Sequence, residues 1–259
     1  MRSDSALSNI ERQEQLLLYI QERQRATVNE VSQHFDVSVA TVRRDLESLE
    51  ERGSIQRFHG GAKIVKQAPP EQPVLHRSVA RIEEKQRIGL ATAELIDDGD
   101  TVFLGSGTSV LEVAKHLHRR KNLTVITNSL LVLNELSRTP EITVVGLGGM
   151  LRHNEMSMIG HITEQALTEV RAQKIIMGIR AIDVQHGLTN DYLPETKTDR
   201  AILAQQGQII IVADHSKCGR VSTAFVAPLS AADMLVTDDK APSEFVDTLR
   251  SRGINVLTV

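Results

Sequence analysis

The hydrophobic positions of this 259-residue chain follow two different patterns. Over residues 1–66, apolar side chains recur three or four positions apart, which is the spacing of amphipathic helices. From about residue 77 onward, short apolar runs alternate with helical stretches. The segment "KQAPPEQP", residues 66–73, lies between the two patterns, and its prolines fix φ and remove hydrogen-bond donors. The pattern therefore predicts a small domain over 1–66, an extended linker over 67–76 and a larger domain over 77–259.

The small domain is predicted to contain three helices. The first covers about Asn9 to Gln24, where apolar residues recur at near-helical spacing. Thr27 is a suitable N-cap and Glu30 stands three residues later, which is the spacing of a capping box. A short second helix is therefore expected to begin after Thr27 and to end near Phe35.

A tight connection, "DVS", leads to the third predicted helix, which Ser38 can cap and Gly53 ends. Its apolar stripe, at steps of three, four and three, consists of Val39, Val42, Leu46 and Leu49. Three short helices with a tight turn between the second and third indicate a helix-turn-helix. The following residues, 54–66, read as two strands around an "HGG" turn, which predicts a β-hairpin wing.

The face of the third helix opposite its stripe carries two adjacent arginines, Arg43 and Arg44. In a helix-turn-helix this face lies in the DNA major groove, where an arginine grips guanine or clamps a phosphate. The alternative is a solvated face on which these arginines pair with Glu47 and Glu50. The net charge of the chain is only −3, so DNA binding requires a local basic patch, and residues 52–66 contain basic but no acidic side chains. The candidate DNA-contacting residues are Thr27, Ser38, Ala40, Thr41, Arg43, Arg44, Arg57, His59 and Lys63.

In the large domain, buried-strand patterns such as "TVFLG", "LTVITN", "KIIMGI" and "QIIIVAD" alternate with helical patterns. This alternation predicts an α/β fold with a mostly parallel sheet covered on both faces. Sites in such sheets lie at the carboxyl ends of the strands. The residues that follow the predicted strands are therefore the first candidates for ligand binding.

Small, hydroxyl-bearing and glycine residues follow these strands repeatedly. The most distinctive group is "GSGTS", residues 105–109, which stands before a predicted helix. Such a turn presents backbone N–H groups, hydroxyls and the positive end of a helix dipole, all of which favour a phosphate. For "GSGTS" alone, the alternative is that its glycines only form a tight turn. The whole set of strand ends favours a pocket for a polyanion or a sugar phosphate.

A resemblance to a known family is carried by "VSVATVRRDLESLEERGSIQRFHGGA", which is similar to the N-terminal signature of the DeoR family of bacterial transcriptional regulators. The segments "EKQRIGLATAELIDDGDTVFL", "GTS", "VITNS", "GG" and "ADHSK" resemble the effector domain of the same family. The resemblance implies a winged helix-turn-helix that reads operator DNA. It also implies a second domain with a fold like that of ribose-5-phosphate isomerase, used to sense phosphorylated sugars.

Carried over by position, the resemblance supplies a set of pocket residues. They are Ser106, Gly107, Thr108, Ser109, Thr127, Asn128, Ser129, Gly148, Gly149, Asp214 and Lys217, with Glu195 and Lys197 added from the segment "PETKTDRAIL". The sequence departs from the family pattern at Gly105, where relatives often have an acidic residue. It departs again at "GIRAID", where Arg180 stands in place of a glycine-rich run.

Both departures remove negative charge or add positive charge. We therefore expect a phosphorylated sugar with a second anionic group, held by Arg180 as a fork. The alternative is that Arg180 pairs with Asp183 or Asp191. Lys217 is expected to add positive charge to the phosphate subsite.

Three functions remain open from the sequence. The first is a repressor of a carbohydrate catabolism operon, released from operator DNA by a phosphorylated sugar. The second is a sugar-phosphate isomerase-like enzyme with an appended DNA-binding module, although spacing assigns no carboxylate the role of base. The third is a metal-dependent regulator, but the histidines are scattered and Cys218 stands alone. We expect no catalytic residue, metal or cofactor.

Composition and assembly add further expectations. Apolar residues make up 41% of the chain, and the longest apolar runs, such as residues 209–213, are too short to cross a bilayer. The first residues are polar and do not resemble a signal peptide, and a single cysteine fits a reducing compartment. We therefore expect a cytoplasmic protein without membrane contact. Because winged modules act in symmetric pairs on repeated half-sites, we also expect a homodimer or homotetramer.

Overall fold

The computed structural model describes residues 9–259, and the chain divides into two compact units, Met1–Lys66 and Gln67–Val259. The first eight residues of the predicted small domain lie outside the described residues. Each unit has its own hydrophobic core, formed by separate clusters of buried side chains.

The first unit contains three helices and a small antiparallel sheet. The elements are α1 (Asn9–Arg23), β1 (Arg25–Thr27), α2 (Val28–Phe35), α3 (Val39–Glu51), β2 (Ile55–Phe58) and β3 (Gly61–Ile64). The predicted helices and the two wing strands are confirmed. The short strand β1 was not predicted, and it extends the wing to three strands in the order β1-β3-β2.

Side-chain caps fix the start of α2 and of α3, as predicted. Thr27 Oγ1 accepts a hydrogen bond from the Glu30 amide at 3.2 Å, and Glu30 Oε2 accepts one from the Thr27 amide at 2.7 Å, which completes a capping box. Ser38 Oγ accepts a hydrogen bond from the Thr41 amide at 3.1 Å. The turn between the helices is therefore held by local chemistry that can be read from the sequence.

The apolar stripe of α3 is shorter than predicted. Val42, Leu46 and Leu49 are buried in the core of the unit, but Val39 is 38% exposed and lies outside that core. Val39 is the first residue of the helix, directly after the N-cap. A polar residue, Asp45, is instead buried on the packing side of the helix.

The second unit is an α/β domain with a seven-stranded parallel sheet in the order β17-β16-β13-β10-β5-β6-β7. Its strands are β5 (Thr101–Leu104), β6 (Thr124–Thr127), β7 (Thr143–Gly146), β8 (Met150–Arg152), β9 (Ser157–Ile159), β10 (Lys174–Gly178), β11 (Ala181–Asp183), β12 (Gly187–Asn190), β13 (Gln208–Val212), β14 (Arg220–Val221), β15 (Ala224–Ala227), β16 (Met234–Thr237) and β17 (Asn255–Thr258), with the two-residue strand β4 (Lys66–Gln67) at the boundary between the units. Its helices are α4 (Val74–Arg77), α5 (Ile82–Glu94), α6 (Thr108–Lys115), α7 (Leu130–Leu136), α8 (His161–Glu169), α9 (Leu193–Leu203) and α10 (Ser243–Ser251), with 3₁₀ turns at Leu117–Arg119, His215–Lys217 and Leu229–Ala231.

Hydrophobic clusters lie on both faces of the parallel sheet. Along β10, Ile175 and Met177 belong to one cluster and Ile176 belongs to the other, because successive strand residues point to opposite faces. Strands buried on both faces read as continuous apolar runs, which is why "KIIM" and "QIIIV" were recognisable in the sequence. The predicted fold class, a helix-turn-helix with a wing followed by a mostly parallel α/β domain, is confirmed.

Two antiparallel additions to the second unit were not predicted. Strands β11, β12 and β15 form a small sheet, and β8 pairs with β9 as a hairpin. The first long helix of the second unit, α5, begins at Ile82, directly after Arg81, whose φ is +53°. The residues 67–76, predicted to be a linker, are counted in the second unit, where they contact the site described below.

Candidate functional site

The first candidate surface is the exposed side of α3. Arg43 and Arg44 are both exposed, and within residues 9–259 neither side chain forms an ion pair or a hydrogen bond. Glu50, one of their two possible partners, lies instead 3.8 Å from Arg57 and also accepts a hydrogen bond from the Arg57 amide. The pairing that would make these arginines a merely solvated face is therefore absent from the described part of the chain.

The other predicted DNA-contacting residues fall into two groups. Ala40, His59 and Lys63 are exposed, the first on α3 and the others on the wing. Thr27 and Ser38 use their hydroxyl groups in helix caps. Thr41 and Ser38 also bond to each other, with 2.8 Å between their hydroxyl oxygens. In this structure, these hydroxyl groups hold the turn in place.

The second candidate site is a cavity of about 400 Å³ within the second unit, at the carboxyl ends of the parallel strands. The predicted residues that line it are Ser106, Gly107, Thr108, Ser109, Asn128, Arg180, Glu195, Asp214 and Lys217. They follow β5, β6, β10 and β13 or lie on α9. Parallel strands end at one edge of the sheet, so residues far apart in sequence converge there.

The "GSGTS" turn forms one wall of this cavity. Gly107 is the N-cap of α6 and has φ of +110°, a conformation that favours glycine. A side chain there would also meet the carboxylate of Glu155, because a Cβ on Gly107 would lie 3.6 Å from Glu155 Oε1. The turn thus brings its backbone N–H groups and the start of α6 to the cavity, which favours an anionic ligand group.

Positive charge collects in the same cavity. Arg77, Arg81 and Lys85 line it, and none of them was predicted from the sequence. Their regular spacing of four residues was the available signal. Arg77 pairs with Glu155, Arg81 lies 3.8 Å from Asp214, and the Lys85 ammonium donates to the main-chain carbonyls of Arg77 and Ala80.

Lys217 is the basic residue of this cavity whose side chain forms no ion pair or hydrogen bond with any residue of 9–259. Its pKa is lowered to about 8, first by burial and then by the nearby positive charges of Arg180, Arg77 and Arg81, while Asp214 opposes this shift. Near neutral pH the ammonium is therefore charged, partly desolvated and unpaired. A bound anion stabilises such an ammonium strongly, because it supplies the opposite charge and hydrogen-bond acceptors.

Arg180 is buried, with 7% of the residue exposed, and it already has partners. Its Nε donates to Asp191 Oδ2 at 2.8 Å, and its Nη2 donates to the main-chain carbonyl of Pro69. Of the two roles considered for Arg180, pairing with Asp191 is the one seen in the structure, while Arg180 still lines the cavity.

Three buried carboxylates form another part of the wall. Glu195 pairs with Arg152 and accepts a hydrogen bond from Ser157 Oγ at 3.0 Å. Burial raises the pKa of Glu155, and burial together with the charge of Glu155 raises the pKa of Asp199 to about 7. Of these carboxylates, only Glu195 was predicted to bind the ligand.

Five predicted pocket residues do not line the cavity: Thr127, Ser129, Gly148, Gly149 and Lys197. Thr127 is fully buried and its hydroxyl accepts a hydrogen bond from the Ser129 amide at 3.0 Å. A Cβ on Gly149 would lie 2.1 Å from Thr163 Oγ1, so this glycine is required by packing. The Lys197 side chain is 74% exposed and pairs with a glutamate of α8. These residues position strand ends and helices around the cavity or lie away from it.

The chain segment that begins the second unit also lines the cavity. Ala68, Pro69, Pro70, Glu71 and Gln72 all contribute to the wall. Beyond the bond from Arg180 to Pro69, Glu71 pairs with Arg152 and accepts a hydrogen bond from Asn154 Nδ2 at 2.8 Å. The proline pattern indicated an extended segment but gave no sign that it would form part of the site.

The described residues, 9–259, contain neither a metal-binding cluster nor a membrane-spanning helix. No group of three or more His, Cys, Asp or Glu side chains there could hold a metal ion. No helix there is long and apolar enough to span a membrane.

Comparison with known proteins gives matches to both units. Residues 12–68 match the family described as "DeoR-like helix-turn-helix domain", and residues 80–239 match the "DeoR C terminal sensor domain". The transcriptional repressor AccR of Agrobacterium fabrum is 36% identical over 232 residues, which cover 89% of this chain and 90% of that protein. The glycerol-3-phosphate regulon repressor of Escherichia coli is 34% identical over 230 residues, covering 89% and 91%.

Among solved structures, ribose 5-phosphate isomerase A of Methanocaldococcus jannaschii matches with a TM-score of 0.40 and 15% identity, over 53% of this chain and 55% of that one. The two sequence relatives described above are named as transcriptional repressors, which agrees with the expectation that this chain is not an enzyme. The two family matches together cover most of the chain. With its helix-turn-helix and its sensor domain, the chain therefore belongs to the DeoR family of transcriptional regulators.

Proposed function

We propose that this chain represses a carbohydrate catabolism operon and is released from operator DNA when a phosphorylated sugar binds in the cavity of the second unit. Because operator DNA lies in the cytoplasm, this role places the protein there. A relative named as the glycerol-3-phosphate regulon repressor supports a phosphorylated effector. The domain roles follow: residues 1–66 bind DNA, 67–76 connect, and 77–259 bind the effector and assemble the oligomer.

One observation carries this proposal: the cavity combines an anion-binding turn with an unpaired, partly buried ammonium. The "GSGTS" turn offers N–H groups and hydroxyls at the start of α6, and Lys217 lines the same cavity without a partner among residues 9–259. A phosphate satisfies both features at once, because it accepts several hydrogen bonds and carries the opposite charge.

A route from effector to DNA-binding unit is offered by the segment 67–72. This segment directly follows the first unit in the chain and forms part of the cavity wall. Arg180 binds its Pro69 carbonyl, and Arg152 binds Glu71. An effector that fills the cavity contacts this segment directly and shifts its position, so that ligand binding and the segment that leads to the DNA-binding unit become linked.

The proposal can be tested with the purified full-length protein. DNA that binds tightly is first selected from a random pool, and phosphorylated sugars are screened by thermal shift, since a ligand of the native state raises stability. We expect a phosphorylated sugar that raises the melting temperature and weakens binding to the selected DNA at least tenfold, while the unphosphorylated sugar has no effect. If no phosphorylated sugar does both, or if the unphosphorylated sugars act as well, the proposal is wrong.

The coupling has its own test in Glu71→Gln, with Glu94→Gln on the exposed side of α5 as the matched control. We expect Glu71→Gln, which weakens the hold of Arg152 on the segment, to reduce the factor by which saturating effector weakens DNA binding. Because Glu71 lines the cavity, the effector affinity of the variant is measured separately. An unchanged factor would show that the segment does not transmit the signal.

A further inference from the structure

The cavity of the second unit has a basic part and an acidic part, and this division bears on the chemistry of the effector. Its basic side chains are Arg77, Arg81, Lys85, Arg180, Lys217 and Arg220, and its acidic ones are Glu71, Glu155, Glu195, Asp199 and Asp214. Six positive against five negative charges leave a formal charge of +1 on the wall.

Lys217 and Asp199, two residues of the cavity wall, have different charged neighbours. Lys217 feels the charges of Arg180, Asp214, Arg77 and Arg81, whereas Asp199 feels those of Glu155 and Arg152. Arg77 links the two groups, because it also pairs with Glu155. A ligand that reaches from Lys217 to Asp199 therefore meets an unpaired ammonium at one end and, at the other, the carboxylates Glu155 and Glu195, which already pair with Arg77 and Arg152.

We propose, building on the proposed function, that the effector is a phosphorylated sugar or polyol with a single anionic end and an uncharged, hydroxyl-bearing end. Its phosphate binds at Lys217 and the "GSGTS" turn. Its hydroxyl groups donate to Glu195, Asp199 and Asn128. The second anionic group expected from the sequence is absent from this ligand.

The acidic end is suited to hydroxyl groups. Ionised carboxylates only accept hydrogen bonds, and each has room for several donors. Glu195 receives donors from Arg152 and Ser157, and Asp199 receives one from Asn190, so each has acceptor capacity left. A sugar hydroxyl that donates to either carboxylate replaces the hydrogen bond to water that the hydroxyl loses on binding.

Asn128 supplies an additional acceptor. Its Nδ2 donates to the Met158 carbonyl at 2.9 Å, which fixes the orientation of the amide. Its Oδ1 is buried and has no hydrogen-bond partner among residues 9–259. A buried acceptor without a donor is costly, so a ligand hydroxyl at this position adds affinity.

A second anion has no comparable place. The arginine that the sequence offered for it, Arg180, is held by Asp191 and by the Pro69 carbonyl. A ligand carboxylate at the other end would lie beside Asp199 and would find the arginines there, Arg77 and Arg152, already paired with Glu155 and Glu195. The geometry therefore favours discrimination against acidic sugar phosphates and bisphosphates.

The test compares matched ligands by titration calorimetry at pH 7.5. Each set contains a sugar monophosphate, the aldonic acid monophosphate with one carbon oxidised, and the bisphosphate: for hexoses, glucose 6-phosphate, 6-phosphogluconate and fructose 1,6-bisphosphate. Pentose and tetrose sets are built in the same way, and the set with the tightest binder is used. We expect the monophosphate to bind at least tenfold more tightly than the aldonic acid monophosphate and the bisphosphate, each of which carries a second anionic group.

Variants make the test independent of ligand choice. Asp199→Asn is expected to raise the affinity for the aldonic acid monophosphate. The preference for the sugar monophosphate over this ligand should therefore narrow at least threefold. Lys217→Met is expected to weaken the binding of every ligand in the set by a similar factor. The control Lys197→Met replaces an exposed lysine outside the cavity and should leave all affinities unchanged. Thermal unfolding of each variant checks that it folds.

The outcomes separate the two proposals. An aldonate or bisphosphate that binds as tightly as the monophosphate overturns the inference about the uncharged end and leaves the proposed function intact. The inference about the uncharged end is also overturned if Asp199→Asn folds but leaves the ratios of the three ligand affinities unchanged. The proposed function again stands. If no phosphorylated sugar of any set binds, both the proposed function and this inference are wrong.

Discussion

Arg12 Nε lies 2.7 Å from Asp45 Oδ2, and Arg12 Nη2 lies 3.0 Å from Asp45 Oδ1, so that a guanidinium of α1 holds a carboxylate of α3 from both sides. Gln13 Nε2 adds a third hydrogen bond at 3.2 Å. Asp45 is only 3% exposed and follows the two exposed arginines directly in sequence. The pair therefore fixes α3 against α1 while leaving Arg43 and Arg44 free on the other side.

Removing the carboxylate should destabilise the first unit. Asp45→Ala leaves Arg12 and Gln13 without their partner, and breaking a buried pair costs on the order of 3 kcal/mol. Hydrogen exchange of the α1 and α3 amides in the full-length protein measures this loss. The control Glu47→Ala changes an exposed residue of the same helix and should leave exchange unaltered. Equal protection in both variants would mean that the pair contributes nothing to stability.

Arg43→Ala and Arg44→Ala should weaken DNA binding without affecting folding. Neither side chain has a partner among residues 9–259, so truncation removes no contact within the described fold. A base-reading arginine should cost on the order of 1–3 kcal/mol and relax specificity at one base pair. A phosphate-binding arginine should instead reduce the salt dependence of binding. Wild-type affinity in both single variants and in the double variant would exclude this helix as the DNA-reading element.

Asp199 should make the stability of the protein depend on pH. Its folded-state pKa, about 7, lies above the ordinary value of 3.8, so the folded state holds this proton more tightly than the unfolded state does. The stabilisation is fully present below pH 3.8 and is lost as pH rises towards and through 7. Asp199→Asn removes this titration but can still accept the hydrogen bond from Asn190.

The measurement is thermal unfolding at pH 5 and pH 8. The melting temperature of Asp199→Asn minus that of the wild type should be ~4 °C larger at pH 8 than at pH 5, for a free-energy change of about 2 kcal/mol. The conservative change Glu94→Gln, at an exposed position of α5, serves as the control. A difference that is equal at the two pH values would show that Asp199 is ionised throughout.

Lys217 should make effector affinity depend on pH in the range 7 to 9. Its pKa is lowered to about 8, so the free protein loses the ammonium charge above that pH and must take up a proton to bind phosphate. Affinity for a phosphorylated sugar should therefore fall about tenfold from pH 7 to pH 9. Lys217→Arg keeps its charge over this range and should flatten the profile. Parallel profiles for wild type and Lys217→Arg would rule out this lysine as the phosphate ligand.

The protein should be at least a dimer in solution. A single winged module gives modest specificity, and such modules act as symmetric pairs on repeated half-sites. Light scattering at micromolar concentration should give a mass of at least twice the 28.6 kDa of one chain. A mass of 28.6 kDa both with and without selected DNA would contradict this expectation.

The sequence by itself determined the elements whose signals are local. The capping box of Thr27 and Glu30 and the cap at Ser38 are contacts between residues three apart, so the helix-turn-helix could be read directly. The continuous apolar strands and the turns after them likewise predicted the parallel sheet and the edge at which the cavity lies. The nine predicted residues that line the cavity follow from this rule and from the family resemblance.

Only the tertiary structure decided which charges meet. Val39 fits the helical stripe as well as Val42 does, but the packing of the unit leaves it exposed and buries Asp45 instead. Thr127 and Gly149 stand at strand ends as expected, yet Thr127 is buried and Gly149 packs against Thr163, and neither residue lines the cavity. The pairing of Arg180 with Asp191, the carboxylates Glu155 and Asp199, and the placement of residues 67–72 depend on contacts between distant segments. Local periodicity carries no information on such contacts, because they arise only when the sheet and its loops fold together.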